Sequence, residues 1–204
     1  MYQSLLLICF CLLCLAPGAI AQEEVDYSRE GFKSAWYVPD GAVLQHAGNM
    51  GMFAMGPHYT THTRRVAAEL LFGFLPRFQA ERNQYLITLK PLYQPFRIGL
   101  KSGHSITPLR AGIGLSYHFG DQYSLAWHEK YPKGYYWWST RLRILGYAGS
   151  SFNFRLKDQT KLIKELCLYS ELGTYDLVLT SLIKEKGLRP WDILNLSVGV
   201  RVSF

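Results

Sequence analysis

Beyond its first 21 residues the chain lacks three things: an apolar run long enough for a membrane helix, a helical hydrophobic period of useful length, and a second cysteine. The first absence rules out membrane crossing by helices, because a helical span needs about 20 apolar residues. The second removes helical bundles, which must repeat apolar positions every three to four residues. The third removes an internal disulfide framework: Cys9, Cys11 and Cys14 lie in the opening segment, and Cys167 is left alone. Acidic residues are also outnumbered, 15 Asp and Glu against 22 Lys and Arg, for a net charge of +7. A basic balance suits nucleic acid, but an exported chain seldom meets any. The excess is read as attraction to anionic lipid head groups or as a solvated surface.

Export is expected from residues 1–21. Leu5 to Leu15 is an apolar core, Pro17-Gly18 breaks it, and Ala19-Ile20-Ala21 has the small-residue spacing of a cleavage site. Met1 to Ser4 holds no Lys or Arg, so the usual basic start rests on the α-amino group. Leu13, not a small residue, precedes Cys14, which argues against a lipoprotein signal. An exported chain without disulfides needs another source of stability. Closing a sheet into a barrel supplies it, since every backbone group then pairs and no edge remains.

What the chain does have is period-2 alternation. Leu194, Leu196, Val198, Val200, Val202 and Phe204 are apolar, with Asn195, Ser197, Gly199, Arg201 and Ser203 between them. A tilted strand crosses the hydrocarbon layer in about 9–11 residues. A slip of one residue would turn Arg201 toward lipid, at about 2–4 kcal/mol near the midplane. The terminal Phe204 resembles the C-terminal signal that the barrel-assembly machinery reads in many outer-membrane barrels. Similar alternation runs through Val66–Phe74, Leu109–Gly120, Tyr136–Ile144 and Glu165–Leu172, with weaker candidates at His46–Gly56, Gln84–Tyr93 and Tyr175–Ile183. The expected fold is all-β, an antiparallel up-and-down transmembrane barrel of about eight strands. Short extra strands at Tyr123–His128 or Phe96–Leu100 would make ten.

The expected organisation is a signal peptide (1–21), an N-terminal periplasmic extension (22–44) and an outer-membrane barrel (45–204). On this count the connection from Gly120 to Gly134 falls on the periplasmic side, where turns are normally short.

Several segments carry a resemblance. Trp36-Tyr37-Val38-Pro39-Asp40, Glu69-Leu70-Leu71-Phe72-Gly73-Phe74-Leu75-Pro76, Tyr131-Pro132-Lys133-Gly134-Tyr135-Tyr136-Trp137-Trp138-Ser139-Thr140, Glu171-Leu172-Gly173-Thr174-Tyr175-Asp176-Leu177 and Trp191-Asp192-Ile193-Leu194 are the residues concerned. Over most of 36–204 the chain resembles small outer-membrane β-barrel proteins of unknown function from Gram-negative bacteria. The resemblance implies a fold and a compartment and brings no catalytic residues.

Candidate site residues follow from the strand faces. Glu69, Arg110, Arg141, Arg143, Glu165, Glu171 and Arg201 should point inward. Eight strands leave an interior filled by side chains, so these charges should pair. Tyr135, Tyr136, Trp137 and Trp138 read as interfacial aromatics at head-group depth. His58 and His62 flank an expected hairpin loop rather than share a helix face, which argues against a metal site. His104-Ser105 and His128-Glu129 offer a base beside a hydroxyl or an acid. Neighbours on a strand face opposite ways, so neither pair is pre-arranged. Ser150-Ser151-Phe152-Asn153-Phe154 resembles part of the lipid A deacylase pattern, without that pattern's His-x-Ser element. The leading expectation is an integral outer-membrane protein with a structural, surface or assembly role, with no cofactor, metal or catalytic residue assigned. Its expected partners are outer-membrane lipids, lipopolysaccharide and the barrel-assembly machinery, and no nucleic acid. A lipid-modifying enzyme and a small channel are the alternatives.

Overall fold

The computed structural model describes residues 37–77, 82–100, 103–121, 123, 141–156, 162–176 and 189–204. The signal-peptide segment, most of the N-terminal extension and the aromatic run Tyr135 to Trp138 lie outside these residues.

Eight antiparallel strands close on themselves: β1 (Gly41–Ala47), β2 (Phe53–Thr60), β3 (Val66–Leu75), β4 (Gln84–Tyr93), β6 (Ser105–Phe119), β7 (Leu142–Arg155), β8 (Glu165–Tyr175) and β9 (Asn195–Ser203). Each pairs with its neighbours in the chain, β9 pairs with β1, and β4 with β6. The protein is an up-and-down barrel, as the alternation implies. A ninth strand, β5 (Ile98–Gly99), pairs with Ser105 and Ile106 of β6. It lies beside the part of β6 that β4 leaves uncovered after Tyr93↔Ala111. This is the Phe96–Leu100 candidate, and it extends the wall without raising the barrel to ten strands.

Closure brings the first strand against the last. Gly41 pairs with Ser203, and the Phe204 amide donates to the Asp40 carbonyl at 2.9 Å. The Asp40 carboxylate accepts from the Thr60 amide at 2.8 Å. This end is called the terminal mouth here, and the opposite end the distal mouth.

Two strand assignments change. His46–Gly56 is not one strand but the end of β1, a tight turn, and the start of β2. Gly41 to Leu44, read as extension, belong to β1. The turn reverses through a short 3-10 segment, Gly48–Met50, with Ala47, Gly48 and Gly51 at φ 59°, 77° and 94°. It folds into the barrel mouth and buries Asn49 and Met50. Conversely, β8 pairs directly with β9, so no wall strand lies between them; of the Tyr175–Ile183 candidate, Tyr175 ends β8 and 177–183 lie outside the described residues. The total stays at eight, but the parity of the intervening strands reverses. The chain segments 76–83, 120–141 and 176–194 all join strands at the distal mouth, opposite the Gly41–Ser203 pair. The long connection after Gly120 therefore joins β6 to β7 on the side away from the Gly41–Ser203 pair, not on the side expected from the strand count.

Candidate functional site

The interior is polar and the outside is apolar. Among the described residues, 17 buried residues are polar or charged and 12 are apolar. Arg110 and Lys90 head the fully buried side chains by size. Strand alternation explains the inversion. On β3, Ala67, Glu69, Leu71 and Gly73 face inward and Val66, Leu70 and Phe72 outward. On β4, Leu86, Thr88, Lys90 and Leu92 face inward between exposed Tyr85, Leu89 and Tyr93.

At mid-height the charges meet. Lys90 Nζ lies 2.5 Å from Glu171 Oε2 and 3.4 Å from Glu69 Oε2, and donates to Gln45 Oε1 at 3.0 Å. Arg110 Nε sits 2.7 Å from Glu171 Oε1, and its Nη2 lies 3.4 Å from Glu69 Oε1. Two cations and two carboxylates alternate, so the cluster is neutral. Burying such charges is tolerable only when they are paired and hydrogen-bonded in this way. His58 Nδ1 adds a 3.4 Å contact to Glu69. The Arg110 guanidinium stacks 3.9 Å from the Tyr169 ring centroid, and Tyr169 donates to Gln45 at 3.0 Å.

Missing side chains make these reaches possible. Arg110, Gly149 and Glu171 form one cross-strand row, so Arg110 and Glu171 meet over the glycine. A Cβ on Gly149 would press into the Ser170 carbonyl and lie 2.7 Å from Glu171 Cγ. Tyr169, Gly199 and Gln45 form a second such row, with the phenol crossing above Gly199. Small and large residues thus alternate around the barrel at one height, as a narrow interior requires.

The remaining inward candidates separate from this cluster. Glu165 stands at the terminal mouth, where Arg64 approaches it at 3.4 Å and Arg97 binds it more closely. Arg201 is buried beside Cys167 and near His58. Arg143 lies near His118 and Tyr175 toward the distal mouth. Arg141 is not an interior residue. It is half-buried at the distal rim, with its guanidinium 5.9 Å from the outward-facing Tyr117 ring and 3.1 Å from the Gly120 carbonyl. The strand face predicts it inward, but β7 begins only at Leu142, so the pleat no longer dictates its direction.

Sequence reasoning missed Lys90, Gln45, His58 and Tyr169. The alternation of Gln84–Tyr93 contains the signal for Lys90, but Pro91 on the other face blurs it. Of the catalytic candidates, Ser105 is buried and accepts from Arg97 Nε at 2.9 Å, whereas the His104 ring packs 5.5 Å from Phe154. They diverge, as neighbours on a strand must. Ser151 faces inward and Ser150 does not. His58 is buried and His62 exposed, so they do not converge, and no metal-ligand cluster occurs among the described residues. His128-Glu129 lies outside the described residues.

Above the ion pairs, the distal mouth holds a cavity of about 420 Å³. The inserted turn at Asn49 and the side chain of Leu86 help to line it, with Gln84, His118, Tyr175 and Asn195 around them.

The outer surface is equally ordered. Phe53, Phe74, Tyr85 and Phe119 pair in sequence across four strands, a continuous aromatic row near the distal mouth. Leu70, Leu89, Leu115 and Ile144 form a parallel aliphatic row below it. Tyr93, Phe154 and Phe204 stand nearer the terminal mouth. Comparison with protein-family models, curated proteins and solved structures finds no match to this chain.

Proposed function

We propose that this chain is an integral outer-membrane barrel protein of a Gram-negative bacterium, with a structural, surface or assembly role. The observation that carries the reading is the inverted polarity. Two arginine- and lysine-centred ion pairs fill the interior, while Leu44, Met55, Phe72, Leu89, Ile113, Leu168 and Val200 are left exposed outside. Exposed apolar patches of this extent need another apolar phase, and a bilayer provides one around the whole circumference.

Dimensions agree. The path from Tyr85 to Tyr93 is about 26 Å at about 3.3 Å per residue. A tilt of about 40° projects this to about 20 Å, near the roughly 25 Å apolar band of such barrels. Aromatic residues bound the band on both sides. Its partners would be membrane lipids and lipopolysaccharide around the wall, and the assembly machinery through Phe204, which is 40% exposed at the terminal mouth. The resemblance to small uncharacterised outer-membrane barrel proteins supports the same compartment. The filled interior at mid-height weighs against a channel.

The test is envelope fractionation of cells expressing the full chain, followed by electrophoresis with and without boiling. Enrichment in the outer membrane and a band that migrates differently when unheated are expected. Recovery in the soluble periplasm without a mobility shift would overturn the proposal.

A further inference from the structure

We propose that the cavity at the distal mouth is a binding site for a neutral, hydroxyl-rich small molecule of the saccharide class. The inference needs the closed barrel but not its membrane setting.

The cavity's size is the first reason. About 420 Å³ falls within the usual range of small-ligand sites, about 300–1,000 Å³. Its position is the second. It lies above the ion-paired layer and is floored in part by a turn that the chain folds inward at the cost of a left-handed Ala47.

Orphaned hydrogen-bonding groups are the third reason. Asn49 is 8% exposed and lines the cavity, and its Nδ2 has no hydrogen-bond partner among the described residues. Its Oδ1 is held by Asn195 Nδ2 at 2.8 Å, which fixes the amide so that Nδ2 is the atom left over. Both ring nitrogens of His118, another lining residue, are likewise buried and unpartnered. A buried polar group without a partner is costly, so a ligand that supplies acceptors and donors here gains what the empty arrangement forgoes.

The remaining lining residues select the ligand class. Gln84, Asn195 and Tyr175 add polar groups, and Leu75 and Leu86 add apolar surface. No charged side chain among the described residues lines the cavity. Arg143 and Asp176, one of each sign, lie near His118. Paired amides, an imidazole and a phenol ring on an apolar base suit a molecule with hydroxyls on its edges and C–H groups on a face. Among the described residues the lining offers an ion no charged partner, and an acyl chain would leave Asn49 and His118 unsatisfied.

Saturation-transfer NMR on the folded full chain in detergent micelles tests this. The probes are methyl glycosides of glucose, galactose, mannose and N-acetylglucosamine, with glucuronate and glucosamine as charged counterparts. Transfer to at least one neutral glycoside, stronger than to its charged counterpart, is expected. Affinity should fall at least tenfold in Asn49→Asp, which keeps the acceptor for Asn195 but removes the donor, and in His118→Phe. Both variants must first show the same heat-modifiable band as the parent. If His118→Phe does not fold, Asn49→Asp alone decides. Probing the preferred sugar immobilised on a surface separates a free ligand from the end of a glycan, and binding in either form supports the site. No transfer to any neutral glycoside, or transfer unchanged in a folded Asn49→Asp protein, overturns the proposal.

Discussion

Lys90 is the residue on which the interior turns. It reaches both carboxylates, Glu69 and Glu171, and Gln45 as well. Lys90→Met would leave two buried carboxylates sharing Arg110, and breaking a buried pair costs about 3–5 kcal/mol. Urea unfolding in micelles should show a loss of that order. Lys90→Met combined with Glu171→Leu leaves Arg110 and Glu69, one charge of each sign, 3.4 Å apart. The double variant should be more stable than Lys90→Met alone, a coupling that a double-mutant cycle reads directly. A double variant as damaged as the sum of its parts would mean that Lys90 and Glu171 act independently. Glycines make the complementary point. Gly149→Ala would drive a methyl group into the Ser170 backbone and to 2.7 Å from Glu171 Cα, whereas Gly146 has nothing within 4 Å. Overpacking of this kind costs about 1–3 kcal/mol, and Gly146→Ala should stay within about 0.5 kcal/mol of the parent in the same titration.

At the scale of the strand, legibility in the sequence followed the chemistry of the outer face. β3, β6, β8 and β9 alternate aliphatic or aromatic residues with polar ones, and the pattern alone locates them, while β4 carries it more weakly. The second half of β7 was not legible, because its outward positions include Gly146, Ala148 and Ser150, which are too small or polar to mark a lipid face. β1 and β2 were fused because the turn between them carries its own alternation of Gly48, Met50 and Met52. Met50 is apolar because the turn dives inward, not because a strand continues there. The ionic core was half legible: Glu69, Arg110 and Glu171 follow from strand faces, while Lys90 and Gln45 sit in strands whose pattern is weak or misplaced. The outer face also yields a prediction that separates membrane from water. Leu89 is 51% exposed in the middle of the aliphatic row. In a soluble barrel Leu89→Arg would change stability by less than about 0.5 kcal/mol. In a bilayer it should cost about 2–4 kcal/mol. Refolding into liposomes against urea measures the difference, and a neutral result would place that face in water.

For the whole molecule, the decisive feature is which mouth faces out. Strand parity puts the start of β1 and the end of β9 at the terminal mouth, and with them the connections 61–65, 94–104 and 156–164. The longer segments 120–141 and 176–194 share the distal mouth with the cavity. Periplasmic turns are short and surface loops long in outer-membrane barrels, so the distal mouth should face the medium. The orientation also gives the cavity a use, because a site opening to the periplasm could not meet ligands outside the cell. Single-cysteine labelling settles it. With Cys167 replaced by Ser, since it is buried and faces inward, cysteines placed at Asp121 and Arg189 should react in intact cells with a maleimide that does not cross membranes. Cysteines at Thr63 and Lys164 should react only after the outer membrane is permeabilised. The reverse pattern would put the cavity on the periplasmic side and the terminal mouth on the surface. Labelling of all four in intact cells would mean that the barrel does not span the membrane.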